Sequence, residues 1–98
     1  MTSIRLPATS TVQQDDENAR VTMWHFEPGT ETHGHVHELD YIVVPVTSGE
    51  LTIETLDAMR HKFQIEAGQS YSRPAGVEHN VANDTDEDII FVEIELKK

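Results

Sequence analysis

Three of the six histidines fall at alternate positions in Thr32-His33-Gly34-His35-Val36-His37-Glu38-Leu39-Asp40, with two carboxylates close behind them. In an extended strand, residues two apart share a face, so His33, His35 and His37 would stand in a row. Imidazole is the commonest ligand for Zn, Fe, Ni and Cu, and one ion needs at least three donors converging on a point. A strand supplies two of these through neighbouring same-face histidines, and the rest must come from elsewhere. A row of strand histidines is also often only a solvated polar face. The second stretch with chemistry runs from Gly68 to Asn83, where Pro74 and Gly76 form a rigid turn that delivers His79 onto the next strand. With His35 and His37, His79 would complete a three-nitrogen site contributed by two hairpins, leaving positions open for water or substrate. Each imidazole must be neutral to bind, so protons compete with the metal near pH ~6.5.

The elements that must position these residues are strands. Val21, Met23 and His25 alternate with Thr22, Trp24 and Phe26 until Pro28-Gly29-Thr30 breaks the pattern. The residues from Asp40 to Thr47 are β-branched and aromatic, as in a buried strand, with Pro45 marking a bulge or an edge. Alternation resumes over Glu50 to Leu56 and Arg60 to Glu66, then over Ser70 to Arg73 and His79 to Asn83. The clearest strand is Ile89 to Leu96, with Ile90, Val92, Ile94 and Leu96 on one side and Glu93 and Glu95 on the other. No window shows a 3.6-residue apolar period. Roughly eight short strands, punctuated by Gly and Pro, point to an all-β sandwich or barrel.

A chain of 98 residues is one domain, too short for two independent cores. Residues 1–19 read as an N-terminal arm or edge strand, and residues 20–98 as the barrel. The formal net charge is −11, concentrated in Asp15-Asp16-Glu17 and in Asp84-Thr85-Asp86-Glu87-Asp88, both of which read as solvated loops. Such acidity argues against nucleic-acid and anionic-membrane partners. The absence of cysteine excludes disulfides, thiolate ligands and a cysteine nucleophile, and fits a cytoplasmic location. No signal-like segment is visible, and Tyr41 to Val46, the longest apolar stretch, is far short of a membrane span.

These residues resemble the cupin superfamily. Its first motif, G-x5-H-x-H-x3/4-E-x6-G, is met by Gly29, His35, His37 and Gly49, and its second, G-x5-P-x-G-x2-H-x3-N, by Gly68, Pro74, Gly76, His79 and Asn83. The resemblance implies a double-stranded β-helix, or jelly-roll β-barrel. It also implies one divalent transition metal (Fe, Mn, Ni or Zn) on His35, His37 and His79, a small-molecule ligand within the barrel, and a homodimer. One position departs from the pattern: the glutamate of the first motif falls on Tyr41 or Ile42, and Asp40 comes one residue early. Asp40 is the candidate fourth ligand. Two alternatives stay open. His33 and His35 could form the pair, with Asp40 then at the right distance but Gly29 out of register. Or three histidines could act without a carboxylate, as in some thiol-dioxygenase cupins.

Other polar residues carry weaker signals. His25 reads as a hydrogen-bonded strand histidine, His61 as solvent-exposed, and Tyr71 and Arg73 as ordinary strand residues unless they project into the barrel mouth. Glu38 and Glu78 adjoin ligand positions, but alternation turns them away from the metal. Three functions compete: a metal-dependent enzyme such as a dioxygenase, isomerase or lyase; a non-catalytic module that binds a small ligand or metal; and a structural barrel with vestigial histidines. The fold does not select the reaction.

Overall fold

A period-two pattern can bury only one face of each strand, and the chain satisfies this by laying two sheets face to face. The computed structural model describes residues 5–97. Eleven strands follow in order: β1 (Leu6–Pro7), β2 (Thr9–Asp15), β3 (Ala19–Phe26), β4 (Thr30–Glu31), β5 (His35–Val36), β6 (Tyr41–Pro45), β7 (Gly49–Thr55), β8 (Arg60–Ile65), β9 (Tyr71–Arg73), β10 (Glu78–Asn83) and β11 (Ile89–Leu96). One sheet has the order β1-β4-β10-β7-β8, with β5 also on β10, and the other has the order β2-β3-β11-β6-β9. All pairs are antiparallel except β1 with β4. The fold is all-β, a double-stranded β-helix. Among the described residues no helix is long and apolar enough to cross a membrane.

The first strands of the chain sit at the edge of each sheet. β2 is exposed along its whole length, whereas β1 is fastened by a partly buried cation. Arg5 pairs with Glu31 at 3.2 Å, Glu54 at 3.0 Å and Asp84 at 2.9 Å. These three carboxylates come from β4, β7 and the loop after β10, so one guanidinium ties the arm to the sheet.

The barrel has two unlike ends. At one, Phe26, Leu51, Ile65, Ile89 and Phe91 form the core, with the Phe26 and Phe91 rings 5.4 Å apart. Toward the other, the inward positions of β11 are Glu93 and Glu95, opposite Thr22 and Arg20 of β3 and Val43 and Tyr41 of β6. Arg20 binds Glu95 bidentately, at 2.8 and 3.1 Å. The aliphatic side chains of β11 point outward instead. Ile90, Val92 and Ile94 join Val21 and Met23 of β3 and Ile42 and Val44 of β6 in a partly buried apolar face.

Asn83 closes the core end. Fully buried, it donates from Nδ2 to the carbonyls of Phe26 at 3.0 Å and Glu87 at 2.7 Å, and its Oδ1 accepts from the Thr85 amide at 3.0 Å. The acidic loop that follows therefore leaves the barrel in one fixed direction. Replacing Asn83 with Ala removes these bonds and strands buried backbone groups, so it should cost about 2–4 kcal/mol. Urea denaturation measures this, and a change below about 0.5 kcal/mol would contradict the role given to Asn83.

Candidate metal centre

His79 on β10 lies directly across from His35 on β5. His37 follows β5 without belonging to a strand, and backbone bonds to the Pro74–Val77 turn hold it. The Gly76 amide donates to the His37 carbonyl at 2.8 Å, and the His37 amide donates to the Val77 carbonyl at 3.3 Å. Gly76 has φ +92°, a conformation that side chains rarely adopt. The proline–glycine turn thus does more than reverse the chain: it clamps the loop bearing His37 against the strand bearing His79.

The three imidazoles converge. His35 Nε2 and His37 Nε2 are 3.0 Å apart, and the donor atoms of His35, His37 and His79 all lie within 4.8 Å of one another. The rings meet at 70° to 88°, so each presents its edge, where the nitrogen lone pair lies. Two nitrogens in adjacent positions around one ion at ~2.1 Å are themselves about 3.0 Å apart. His79 Nε2 is buried and has no hydrogen-bond partner, a rare state for a buried polar atom. The donor set and the orphaned nitrogen fit one divalent transition metal.

Neighbours orient two of the rings. His35 Nδ1 lies 2.9 Å from the His33 carbonyl. A carbonyl only accepts, so Nδ1 carries the proton and Nε2 presents its lone pair. Tyr41 stacks on His37, with ring centroids 3.9 Å apart and planes 24° apart.

His33 itself does not join the row that alternation suggested. It sits at φ +73°, before β5 begins, with its ring exposed and 3.4 Å from Glu31. The left-handed turn throws the side chain outward and aims the carbonyl at His35. Asp40 is likewise not brought to the cluster. It is exposed and accepts a hydrogen bond from the Ala75 amide at 2.8 Å. The reason is phase: Tyr41 and Val43 are the inward residues of β6, so Asp40 faces out and buttresses the proline turn.

Two carboxylates of β11, Glu93 and Glu95, have oxygens within 4.8 Å of a His37 nitrogen, and Glu93 Oε2 lies 3.8 Å from His37 Nε2. Sequence reasoning missed them because β11 follows both motifs and its isoleucines suggest the opposite inward face. Glu93 and His79 also line a cavity of about 330 Å³, together with Tyr41, His61, Phe63, Tyr71 and Arg73. Tyr71 and Arg73 therefore do project into the barrel. His61, exposed overall, contributes to the cavity wall. His25 is remote from it and binds Asp88 at 2.8 Å.

Burial sets the electrostatics. Loss of hydration, with the charge of His35 next, lowers His37 to about 4 and His79 to about 4. His37 is therefore neutral at neutral pH, and its contact with Glu93 is not then an ion pair. Protons compete with a metal for these two nitrogens well below the ~6.5 of a free imidazole. Burial, reinforced by Glu95, raises Glu93 to about 7.

The cupin domain family matches residues 22–95, which span both motifs, the three histidines and Glu93. The chain belongs to the cupin family. Across 93 residues this cupin is 50% identical to the beta-alanine degradation protein BauB of Pseudomonas aeruginosa, covering 95% of this chain and 97% of the relative. The crystal structure of a cupin domain from Bordetella pertussis is 49% identical and superposes with a TM-score of 0.93, covering 97% of this chain and 98% of that one. An RmlC-like cupin from Methanocaldococcus jannaschii, with a double-stranded β-helix, shares the fold at a TM-score of 0.76 and 14% identity, covering 98% and 85% of the two chains.

The buried groups link stability to pH with opposite signs. An unfolded histidine takes up protons near 6.5, before the folded His37 and His79 do at about 4, so acid favours unfolding across that interval. Folded Glu93 titrates near 7 against 4.5 unfolded, so its burial penalty above neutrality is relieved as pH falls through the same range. Two histidines outweigh one glutamate, and metal-free protein should lose stability from pH 6.5 toward pH 4. Glu93→Gln should raise stability at pH 8 and steepen the acid loss. Urea titrations of chelator-treated protein decide this, and an unchanged slope in the variant would refute the assignment.

Proposed function

We propose that this cupin is a metal-dependent enzyme that acts on a small molecule held in the barrel. The observation that carries the reading is the convergence of three edge-on imidazoles, one of which, His79, has an orphaned buried nitrogen and lines a cavity of about 330 Å³. His35, His37 and His79 hold one divalent transition metal, which supplies Lewis-acid polarisation of a substrate oxygen when bound. The His33 carbonyl and the Tyr41 ring keep two of the ligands in register. Glu93, the carboxylate in the cavity wall, takes or returns a proton at Oε2, as an isomerase or lyase step at a carbonyl-activated carbon requires. The similarity to a beta-alanine degradation protein supports a substrate of that size, a short amino acid or a compound derived from one. A cytoplasmic location belongs to the same reading.

Metal analysis tests it. Wild-type protein should carry one ion per chain, and His35→Ala, His37→Ala and His79→Ala should each lose most of it while remaining folded. His33→Ala, whose contribution is a backbone carbonyl, should keep it. Turnover of short acids should stop on chelation and return with metal. A metal-free wild type after growth in metal-replete medium, or turnover indifferent to chelator, would defeat the proposal.

The reading includes a homodimer. On the central strands β3, β11 and β6 the outward positions hold Val21, Met23, Ile42, Val44, Ile90, Val92 and Ile94, without a carboxylate. A chain of net charge −11 repels its own copy over its acidic surfaces, but not across this face. A second copy is therefore the occupant it suits. Val92→Glu should convert a dimer to a monomer in sedimentation, and a wild-type monomer at micromolar concentration would overturn the assignment.

A further inference from the structure

Among the described residues Arg5, Arg20, Arg60 and Lys97 are each paired with a carboxylate. Lys62 is also among the residues of the cavity wall and forms no ion pair with a described residue, but its ammonium donates to Thr52 Oγ1 at 2.9 Å. Among the arginines Arg73 differs: it lines the cavity and forms no ion pair with any described residue. In a chain with 18 acidic residues and 7 basic ones, an unpaired arginine is the exception.

The way Arg73 is held leaves its donors free. Its guanidinium carbon lies 4.6 Å from the Tyr71 ring centroid and 5.1 Å from that of Phe63. The two rings are themselves 5.1 Å apart and nearly perpendicular. Aromatic contacts of this kind fix a guanidinium without consuming its N–H groups. Nη1 donates to the Ser72 carbonyl at 3.0 Å, and the Nε and Nη2 edges have no acceptor among the described residues. That fork is the geometry that binds a planar carboxylate through two parallel bonds.

We propose that Arg73 is a carboxylate-binding residue and that the cavity takes a short aliphatic carboxylate. Building on the enzymatic reading, this names the substrate class. The ligand's anionic end lies on Arg73 and its other end toward His79 and Glu93 in the same cavity. Val43, Val81 and Phe91 supply an apolar wall for the methylenes between. A volume of about 330 Å³ is at the small end of ligand sites and has room for a short carboxylate.

Calorimetric titration with propionate, propionamide and inorganic phosphate tests the proposal on metal-loaded and on chelator-stripped protein. Wild type should bind propionate about tenfold or more tightly than propionamide, the scale of a charge-assisted bond pair. Arg73→Gln should erase that preference while metal content stays unchanged. Arg73→Lys, which keeps the charge and the fold should Gln prove disruptive, should retain only part of it. Equal affinity for acid and amide, an undiminished preference in both variants, or tighter binding of phosphate would each overturn the proposal. An Arg73-dependent preference in protein that never holds metal would sink the metal reading and leave this one standing. Bound metal without acid preference would do the reverse.

Discussion

Everything at the polar end of the barrel follows from one constraint: three imidazoles share a partly desolvated space. An imidazolium there would face both burial and two like neighbours, so His37 and His79 stay neutral far below the usual pH. Neutral rings have lone pairs to direct, and the backbone decides where. The His33 carbonyl fixes the His35 tautomer, the Gly76 and Val77 backbone clamps His37, and cross-strand pairing places His79. The side chains carry the chemistry, but the turns determine that it converges.

The same constraint accounts for β11. A polar pocket within a small barrel needs polar walls, and the strand at the centre of the second sheet supplies them with Glu93 and Glu95. Glu95 is paired with Arg20, whereas Glu93 has no such partner and is pushed toward its protonated form. Placing the carboxylates inside forces the isoleucines and valine of β11 outward, because alternation allows no other arrangement. An uncharged outer face is thus the geometric consequence of a polar interior.

Much of this was legible in the sequence. Alternation located the strands, and the resemblance to cupin motifs carried by Gly29, His35, His37, Gly68, Pro74, Gly76, His79 and Asn83 implied the fold and the three converging nitrogens. What it missed depended on phase and backbone conformation. His33 looks equivalent to His35 until the chain adopts a positive φ, which turns a presumed strand face into a bend. Asp40 is one residue out of phase with inward Tyr41, and one residue is a whole face in a strand. Glu93 lies far from both motifs and only tertiary pairing brings it to His37. Tyr71 and Arg73 resembled ordinary strand residues because nothing local reveals which face of so short a strand the barrel encloses.

The separation of the two ends explains how a barrel this small tolerates such a site. Orphaned polar atoms and unpaired charge oppose folding, and proteins carry them where function requires and other regions supply the stability. Here Phe26, Leu51, Ile65, Ile89 and Phe91 pack at one end, sealed by Asn83, and Arg5 fastens the first strand to the sheet from outside. None of these residues contributes a donor to the histidine cluster. The clamp between the proline turn and His37 is the structural element that belongs to both, since it closes the loop and orients a ligand at once. Gly76 is accordingly the point where folding and chemistry cannot be separated: a side chain there strains the turn, and the displacement passes through one hydrogen bond to the His37 backbone.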